Sequence, residues 1–290
     1  MSPYLQSLRL RTLPLSMSGI VLGTGLAWKT TPHLFSEGKG ILVFVLAILT
    51  TLSLQILSNL SNELGDAQKG TDTDQHGRAA YGLQAGTITE KQIKGMIWLF
   101  LGLSVVFGIS LIYSAFGTLL CIQSLGFIGL GLLAILGAVC YTLGKHSYGY
   151  MGLGDLGVFL FFGLLSTLGS YYLQTQELNT EVIWSGIAIG LPCVGVLNLN
   201  NIRDMNNDRA HGKHTLASLL GPRGAKIYHT CLLVGCIAIF TALGHLWPLR
   251  FSPVWVWHLW YIWSHEGSSL DKQMPVLMLS TLVVACLGWV

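Results

Sequence analysis

Apolar residues in this chain fall into long runs broken by short polar interludes: 13–28, 41–60, 93–113, 119–141, 156–173, 182–199, 227–247, 251–263 and 274–290. A helix needs about 20 apolar residues, within a range of about 17 to 25, to cross a bilayer. The runs therefore predict an all-α, polytopic membrane protein with about nine transmembrane helices. The first and eighth runs are short. The eighth carries Trp255, Trp257, Trp260 and Trp263, and tryptophan favours the headgroup level, so it reads as a tilted span or an interfacial helix.

Composition supports this class. The 290 residues are 52% hydrophobic and 10% charged, against about 25% charged in soluble proteins. The net charge of +3 is small, and the basic residues cluster beside acidic ones, which speaks against nucleic acid as a partner. All six cysteines lie in apolar segments without metal-ligand spacing and read as buried thiols. Arg9 and Arg11 before the first run could suggest a signal peptide, but the repeated runs that follow favour a retained first span. One transmembrane domain, 1–290, accounts for the whole chain.

With nine spans the basic residues assort between the two sides. Arg9, Arg11, Lys69, Arg78, Lys91, Lys94, Lys145, Arg203, Arg209, Lys213, Arg223, Lys226 and Lys272 fall on one side; Lys29, Lys39 and Arg250 fall on the other. The positive-inside rule makes the first side cytoplasmic, and a prokaryotic cytoplasmic (inner) membrane is the simplest setting.

Two polar stretches stand out on that side. Asn200, Asp204 and Asp208 recur every four residues at the end of the sixth run, which places them on one face of a helix with Arg203, Arg209 and Lys213 nearby. Asn62 and Asp66 end the second run in the same way, with Asp72 and Asp74 in the following loop and Lys69 and Arg78 beside them. Six of the thirteen acidic residues lie in these two places, where ionisable groups at a membrane boundary are costly without a task or a partner. Either stretch alone could simply cap a helix or pair with arginine. Two on one side of the membrane can share a pocket and point to more than capping.

Carboxylate and amide oxygens suit Mg²⁺, which binds through one or two carboxylates together with substrate phosphates. Two facing sets would hold Mg²⁺ against one diphosphate, with Lys69, Arg78, Arg203, Arg209 and Lys213 meeting the remaining phosphate charge. The site lies at the membrane boundary, so a charged head could sit in the loops while a hydrocarbon tail lies among the helices. That is the geometry for a prenyl diphosphate. Asp155 reads equally well as a helix cap, His146, His211 and His214 as solvated loop residues, and Tyr148, Tyr150, Tyr171 and Tyr172 as interface aromatics. His229, His245 and His258 receive no role.

Taken together, Arg9 to Pro14, Asn62 to Asp72, the run Tyr148-Gly149-Tyr150-Met151-Gly152-Leu153-Gly154-Asp155, and Asn200 to Asp204 through Gly212-Lys213-His214-Thr215-Leu216 resemble the UbiA-type intramembrane prenyltransferases. Within them the chain is most similar to the branch that prenylates 1,4-dihydroxy-2-naphthoate in menaquinone synthesis. The resemblance implies that Asn62, Asp66 and Asp72 form one metal set and Asn200, Asp204 and Asp208 the other, with Asp66, Asp72, Asp204 and Asp208 catalytic. Glu63 stands where the family has Asp, and Leu10 where it has Pro.

The resemblance also implies nine helices around a central cavity open to the cytoplasm and laterally to lipid. The expected reaction moves a polyprenyl group from a polyprenyl diphosphate to the dihydroxynaphthoate ring with loss of CO₂ and diphosphate, giving demethylmenaquinone. Arg9, Arg11 or Lys145 would hold the acceptor carboxylate. A sibling enzyme using 4-hydroxybenzoate, homogentisate or a phytyl donor is the nearest alternative, and a divalent-cation transporter the remote one.

Overall fold

A computed structural model of the chain describes residues 3–70, 82–145 and 147–289. The described residues hold nine principal helices: α1 (Leu13–Thr30), α2 (Lys39–Lys69), α3 (Glu90–Phe116), α4 (Ile122–Cys140), α5 (Gly154–Thr175), α6 (Thr180–Arg203), α7 (Leu216–Ala242), α8 (Ser252–Ser264) and α9 (Gln273–Leu287). Short helical turns fill several of the connections.

Seven segments are long and apolar enough to cross a membrane: α2 to α7, and Gly267–Leu287, which includes α9. The two others are the pieces that read as short in the sequence. Helix α1 has 18 residues and is diluted by polar side chains, of which Ser16, Ser18 and Thr24 are buried. Helix α8 has 13 residues, so at 1.5 Å per residue it extends about 20 Å, less than the hydrocarbon thickness of about 30 Å. Trp257, Trp260 and Trp263 are exposed along it, while Trp255 is buried and donates to Ser280 Oγ at 2.8 Å.

Local chemistry sets the helix ends. Thr89 and Gln92 form a reciprocal capping box at the start of α3, and Asn179 and Thr215 cap α6 and α7 with side-chain oxygens. Gly70 and Gly117 close α2 and α3 with left-handed backbone, which glycine adopts without steric cost. Helix α7 is broken near its start, where Gly221 leaves helical geometry immediately before Pro222.

Helix α6 is the central post, with 72% of its most apolar stretch buried against 6% for α4, whose surface is left to lipid. In a bilayer helices associate through close packing, not through expulsion of water, and small residues permit that approach. Gly163 of α5 lies so near α6 that a Cβ there would fall 2.6 Å from the Gly190 Cα. The segment Phe159–Leu165 around Gly163 is a π-helix, a widened turn often found at functional sites. A buried polar chain joins α6 to α9: Asn198 meets His229, His229 meets His258 at 3.0 Å between Nε2 atoms, and His258 Nδ1 meets Gln273 Oε1 at 2.8 Å.

Candidate active site

A cavity of about 380 Å³ opens inside the bundle, walled by α1 to α6 with Met278 reaching in from α9. One end is apolar, with Ile20, Leu54, Leu111, Phe127, Phe161 and Leu173 among its lining. The other carries Arg9, Asn62, Asp66, Asn200, Arg203, Asp204 and Lys213. The two polar stretches therefore meet in one pocket, as their placement on one membrane side predicts.

The first stretch arrives on an unbroken helix. Helix α2 continues past its apolar run, so Asn62 and Asp66 stand on its last turns one step apart. Asn62 Oδ1 accepts from Thr142 Oγ1 at 3.1 Å, and Asp66 Oδ1 accepts from the Tyr150 hydroxyl at 2.9 Å. Lys69 does not line the cavity; it donates to Thr142 O at 2.7 Å and to Ser147 Oγ, with its Nζ 3.8 Å from the centre of the Tyr150 ring. Asp72, Asp74, Arg78 and His146 lie outside the described residues.

The second stretch is not a single straight helix. Helix α6 ends at Arg203, Asp204 sits at the turn, and a short helix, Met205–Ala210, starts beyond it. The four-residue step nevertheless survives, because Asp204 N–H donates to Asn200 O and Asp208 N–H to Asp204 O, each at 2.9 Å. Arg203 grips Asp204 as a fork, Nε to Oδ1 at 2.6 Å and Nη2 to Oδ2. Asp208 is buried outside the cavity wall and pairs with Lys213 at 3.4 Å. Its Oδ2 makes no hydrogen bond among the described residues.

Burial first, then the neighbouring Asp204 and Asp66, push the Asp208 carboxyl up to about 6, against the pull of Lys213. Burial works against the Lys213 charge, yet Asp208, Asp66, Tyr150 and Asp204 together hold its pKa above the usual lysine value. Lys213 thus feels the carboxylates of both stretches.

Among the described residues no three Asp, Glu, His or Cys side chains gather closely enough to enclose a metal ion. One carboxylate and one amide from each stretch instead leave most of a coordination sphere for water and phosphate oxygens, which is how Mg²⁺ is commonly bound. The buried, unsatisfied Asp208 Oδ2 adds a spare hard oxygen nearby. The donor set fits Mg²⁺ held jointly with a diphosphate.

Several basic residues lie elsewhere than the sequence suggests. Arg209 donates to Ser218 O and ties the short helix to α7. Lys145 is exposed in a loop outside the cavity. Arg11 is not on the cavity wall either and pairs with Asp271 at 3.2 Å. Arg9 does line it, in left-handed backbone (φ 50°) unusual for a side-chain-bearing residue. Asn59 fastens this turn by donating to Leu8 O at 2.9 Å and Thr12 Oγ1 at 3.1 Å.

Other functional groups are not evident from the sequence. Tyr150, read from the sequence as an interface aromatic, donates its hydroxyl to Asp66 and so sits directly behind the cavity wall, with no local sequence mark to distinguish it. Tyr148 lines the cavity and donates to Gly137 O at 2.9 Å. Glu63 does not line the cavity; it accepts from Ser7 Oγ at 3.1 Å and Leu83 N–H at 2.7 Å. Asp155 makes no side-chain cap, and its buried Oδ1 has no hydrogen-bond partner among the described residues.

A multi-helix membrane protein whose central cavity joins an apolar channel to a mouth of paired carboxylates and bases is built to act on a charged head with a hydrocarbon tail. The UbiA prenyltransferase profile matches residues 16–283, and the chain belongs to that family. It is 43% identical over 253 residues to the 1,4-dihydroxy-2-naphthoate octaprenyltransferase of Escherichia coli (strain K12), covering 86% of this chain and 80% of that one. Against the enzyme of the same description from Bacillus subtilis (strain 168) it is 31% identical, over 83% of this chain and 71% of the relative. The fold is shared with the apo structure of a UbiA homolog from Aeropyrum pernix K1, with a TM-score of 0.67, 16% identity and 97% of both chains covered. It is also shared with a UbiA homolog from Archaeoglobus fulgidus bound to DMAPP and Mg²⁺, with a TM-score of 0.57, 14% identity and coverage of 99% of this chain and 86% of that one.

Proposed function

We propose that this protein transfers a polyprenyl group from a polyprenyl diphosphate to 1,4-dihydroxy-2-naphthoate in menaquinone biosynthesis. The C–O bond to diphosphate breaks, a C–C bond to the ring forms, and the ring carboxylate leaves as CO₂. The product is demethylmenaquinone in its reduced form. The observation that carries this reading is the meeting of Asn62 and Asp66 with Asn200 and Asp204 at the polar mouth of an otherwise apolar cavity. The 43% identity to a relative described as a 1,4-dihydroxy-2-naphthoate octaprenyltransferase supports the choice of acceptor.

The roles of the chain's own groups follow from their positions. Asn62, Asp66, Asn200 and Asp204, with Asp208 behind them, would hold Mg²⁺ and so fix the donor's head. Bound Mg²⁺ would supply positive charge to the departing diphosphate. Lys213 stands on the cavity wall to meet phosphate charge, and Tyr150 orients Asp66. The apolar end shelters the tail and keeps water from the allylic carbon as its bond to oxygen weakens. Of the three cations considered for the acceptor carboxylate, Arg9 is favoured, because it lines the cavity while Arg11 and Lys145 do not. The setting is a bacterial cytoplasmic membrane, with the polar mouth on the cytoplasmic face where the basic residues gather.

Membranes containing the protein, incubated with 1,4-dihydroxy-2-naphthoate, a polyprenyl diphosphate and Mg²⁺, should yield a prenylated, decarboxylated naphthalene product by mass, and chelation should stop it. Prenylation of 4-hydroxybenzoate or homogentisate in its place would keep the reaction and replace the acceptor. No transfer to any aromatic acid would overturn the reading.

A further inference from the structure

Asp271 lies outside both polar stretches, 68 residues from Arg203, in the turn Gly267–Lys272 that leads into α9. Its carboxylate sits between two guanidinium groups. Oδ1 accepts from Arg203 Nη1 at 2.6 Å and Oδ2 from Arg11 Nη1 at 3.2 Å. The opposite edge of Arg203 is the fork on Asp204. The Arg203 side chain is only 5% exposed, so water does little to loosen it.

A guanidinium is planar and its donors are fixed relative to one another, so a carboxylate on one edge determines where the other edge points. The anchor beneath Asp271 is itself rigid. Leu270 and Gln273 on either side are buried, and Gln273 closes the polar chain through His258 and His229 to Asn198 of α6. Asp271 does not line the cavity. We propose that Asp271 is a positioning residue for prenyl transfer: from the turn before α9 it sets the plane of Arg203 and thereby aims the Asp204 carboxylate into the cavity.

The proposal rests on the prenyl-transfer reading for its chemistry. Groups that orient a metal-binding side chain usually cost about 10- to 100-fold in metal affinity or activity when changed. Asp271→Asn should therefore raise both the Mg²⁺ concentration for half-maximal activity and the KM for polyprenyl diphosphate about tenfold, near 1.4 kcal/mol. The KM for the naphthoate should stay put. Asp271→Glu keeps the charge on a longer arm and should recover all but about threefold of the loss.

A second readout needs no turnover: thermal unfolding of the purified full-length protein with Mg²⁺ and inorganic diphosphate. The wild type should be stabilised, and Asp271→Asn should need about tenfold more Mg²⁺ for the same rise in Tm. Wild-type Mg²⁺ demand in Asp271→Asn overturns the proposal. So does a loss of kcat and Tm with both KM values unchanged, or a change confined to the acceptor. If Asp271→Asn fails to accumulate, Asp271→Glu decides, and wild-type Mg²⁺ demand in that variant also overturns it. Should the wild type transfer nothing to the naphthoate, the functional reading fails while the diphosphate-induced shift still tests Asp271.

Discussion

At the end of α2 the backbone runs straight through Asn62, Asp66 and Lys69, and one group that holds Asp66, the Tyr150 hydroxyl, arrives from a loop more than eighty residues later. At the end of α6 the helix stops at Arg203, and Asp204 is held by that immediate neighbour, itself fastened by Asp271. The same pair of side chains, Asn and Asp four residues apart, thus has a neutral hydroxyl among its contacts at one end and a buried adjacent cation at the other. An arginine keeps its charge at any working pH and a tyrosine hydroxyl carries none. Asp204 thus has a cation fixed directly against it, and Asp66 shares the fields of Lys69 and Lys213.

The bluntest way to break this comparison is to remove each carboxylate in turn. Asp66→Ala and Asp204→Ala should each lower turnover by about 10³-fold, since both would bear on the departing charge, with the protein still present in membranes at normal abundance. Full activity in either variant would remove that end from the chemistry. Lys213, which feels both ends, comes next. Lys213→Met should cost about 10²-fold through loss of a desolvated cation beside phosphate, and the Mg²⁺ dependence should show whether the carboxylates were disturbed as well.

Tyr150→Phe tests the α2 end alone. It removes the 2.9 Å bond to Asp66 and keeps the ring beneath Lys69. A hydrogen bond to a charged group contributes about 1.5–3 kcal/mol, so a loss of about 10- to 100-fold is expected in kcat/KM for the donor. An unchanged donor kcat/KM would show that Asp66 is fixed by other means.

The smallest effect concerns pH. In the Mg²⁺-free protein Asp208 has its pKa raised to about 6, against about 3.9 in an unfolded chain. The folded state thus binds the proton more tightly, and this group's contribution to stability is fully present below about pH 4 and is lost as pH rises through about 6. Tm without Mg²⁺ should accordingly fall modestly between pH 5 and 7 in the wild type, and the Asp208→Asn variant should lack this component. Identical profiles for the two would remove Asp208 as its source.

Much of this was legible beforehand, for physical reasons that apply residue by residue. Long apolar runs mark helices because lipid offers no partner for an unpaired backbone group. Asn62, Asp66, Asn200 and Asp204 declare themselves by being polar where polarity is costly. The extent of α2 was less visible, since helix propensity continues through Ser61 to Lys69 after hydrophobicity stops. Tyr150 was hidden because an interface tyrosine and a carboxylate-orienting tyrosine look alike in sequence. Arg11 was misplaced for a related reason: its partner Asp271 is 260 residues away, and no local spacing encodes a contact that only the packing of α9 creates. The widening at Phe159–Leu165 has no mark in an apolar run.

The backbone contact between Gly163 and Gly190 bears on where the cavity can change size. Rotamer changes let an ordinary helix interface breathe, but two glycines in contact have no side chains to rearrange, so α5 and α6 meet at a stiff joint behind the wall residues Phe162 and Cys193. Helix α4 is held more loosely: only 6% of its most apolar stretch is buried, and Gly126, Gly129 and Gly131 face open space. The thinly packed α4 flank therefore offers a bulkier guest less resistance than the α5–α6 joint.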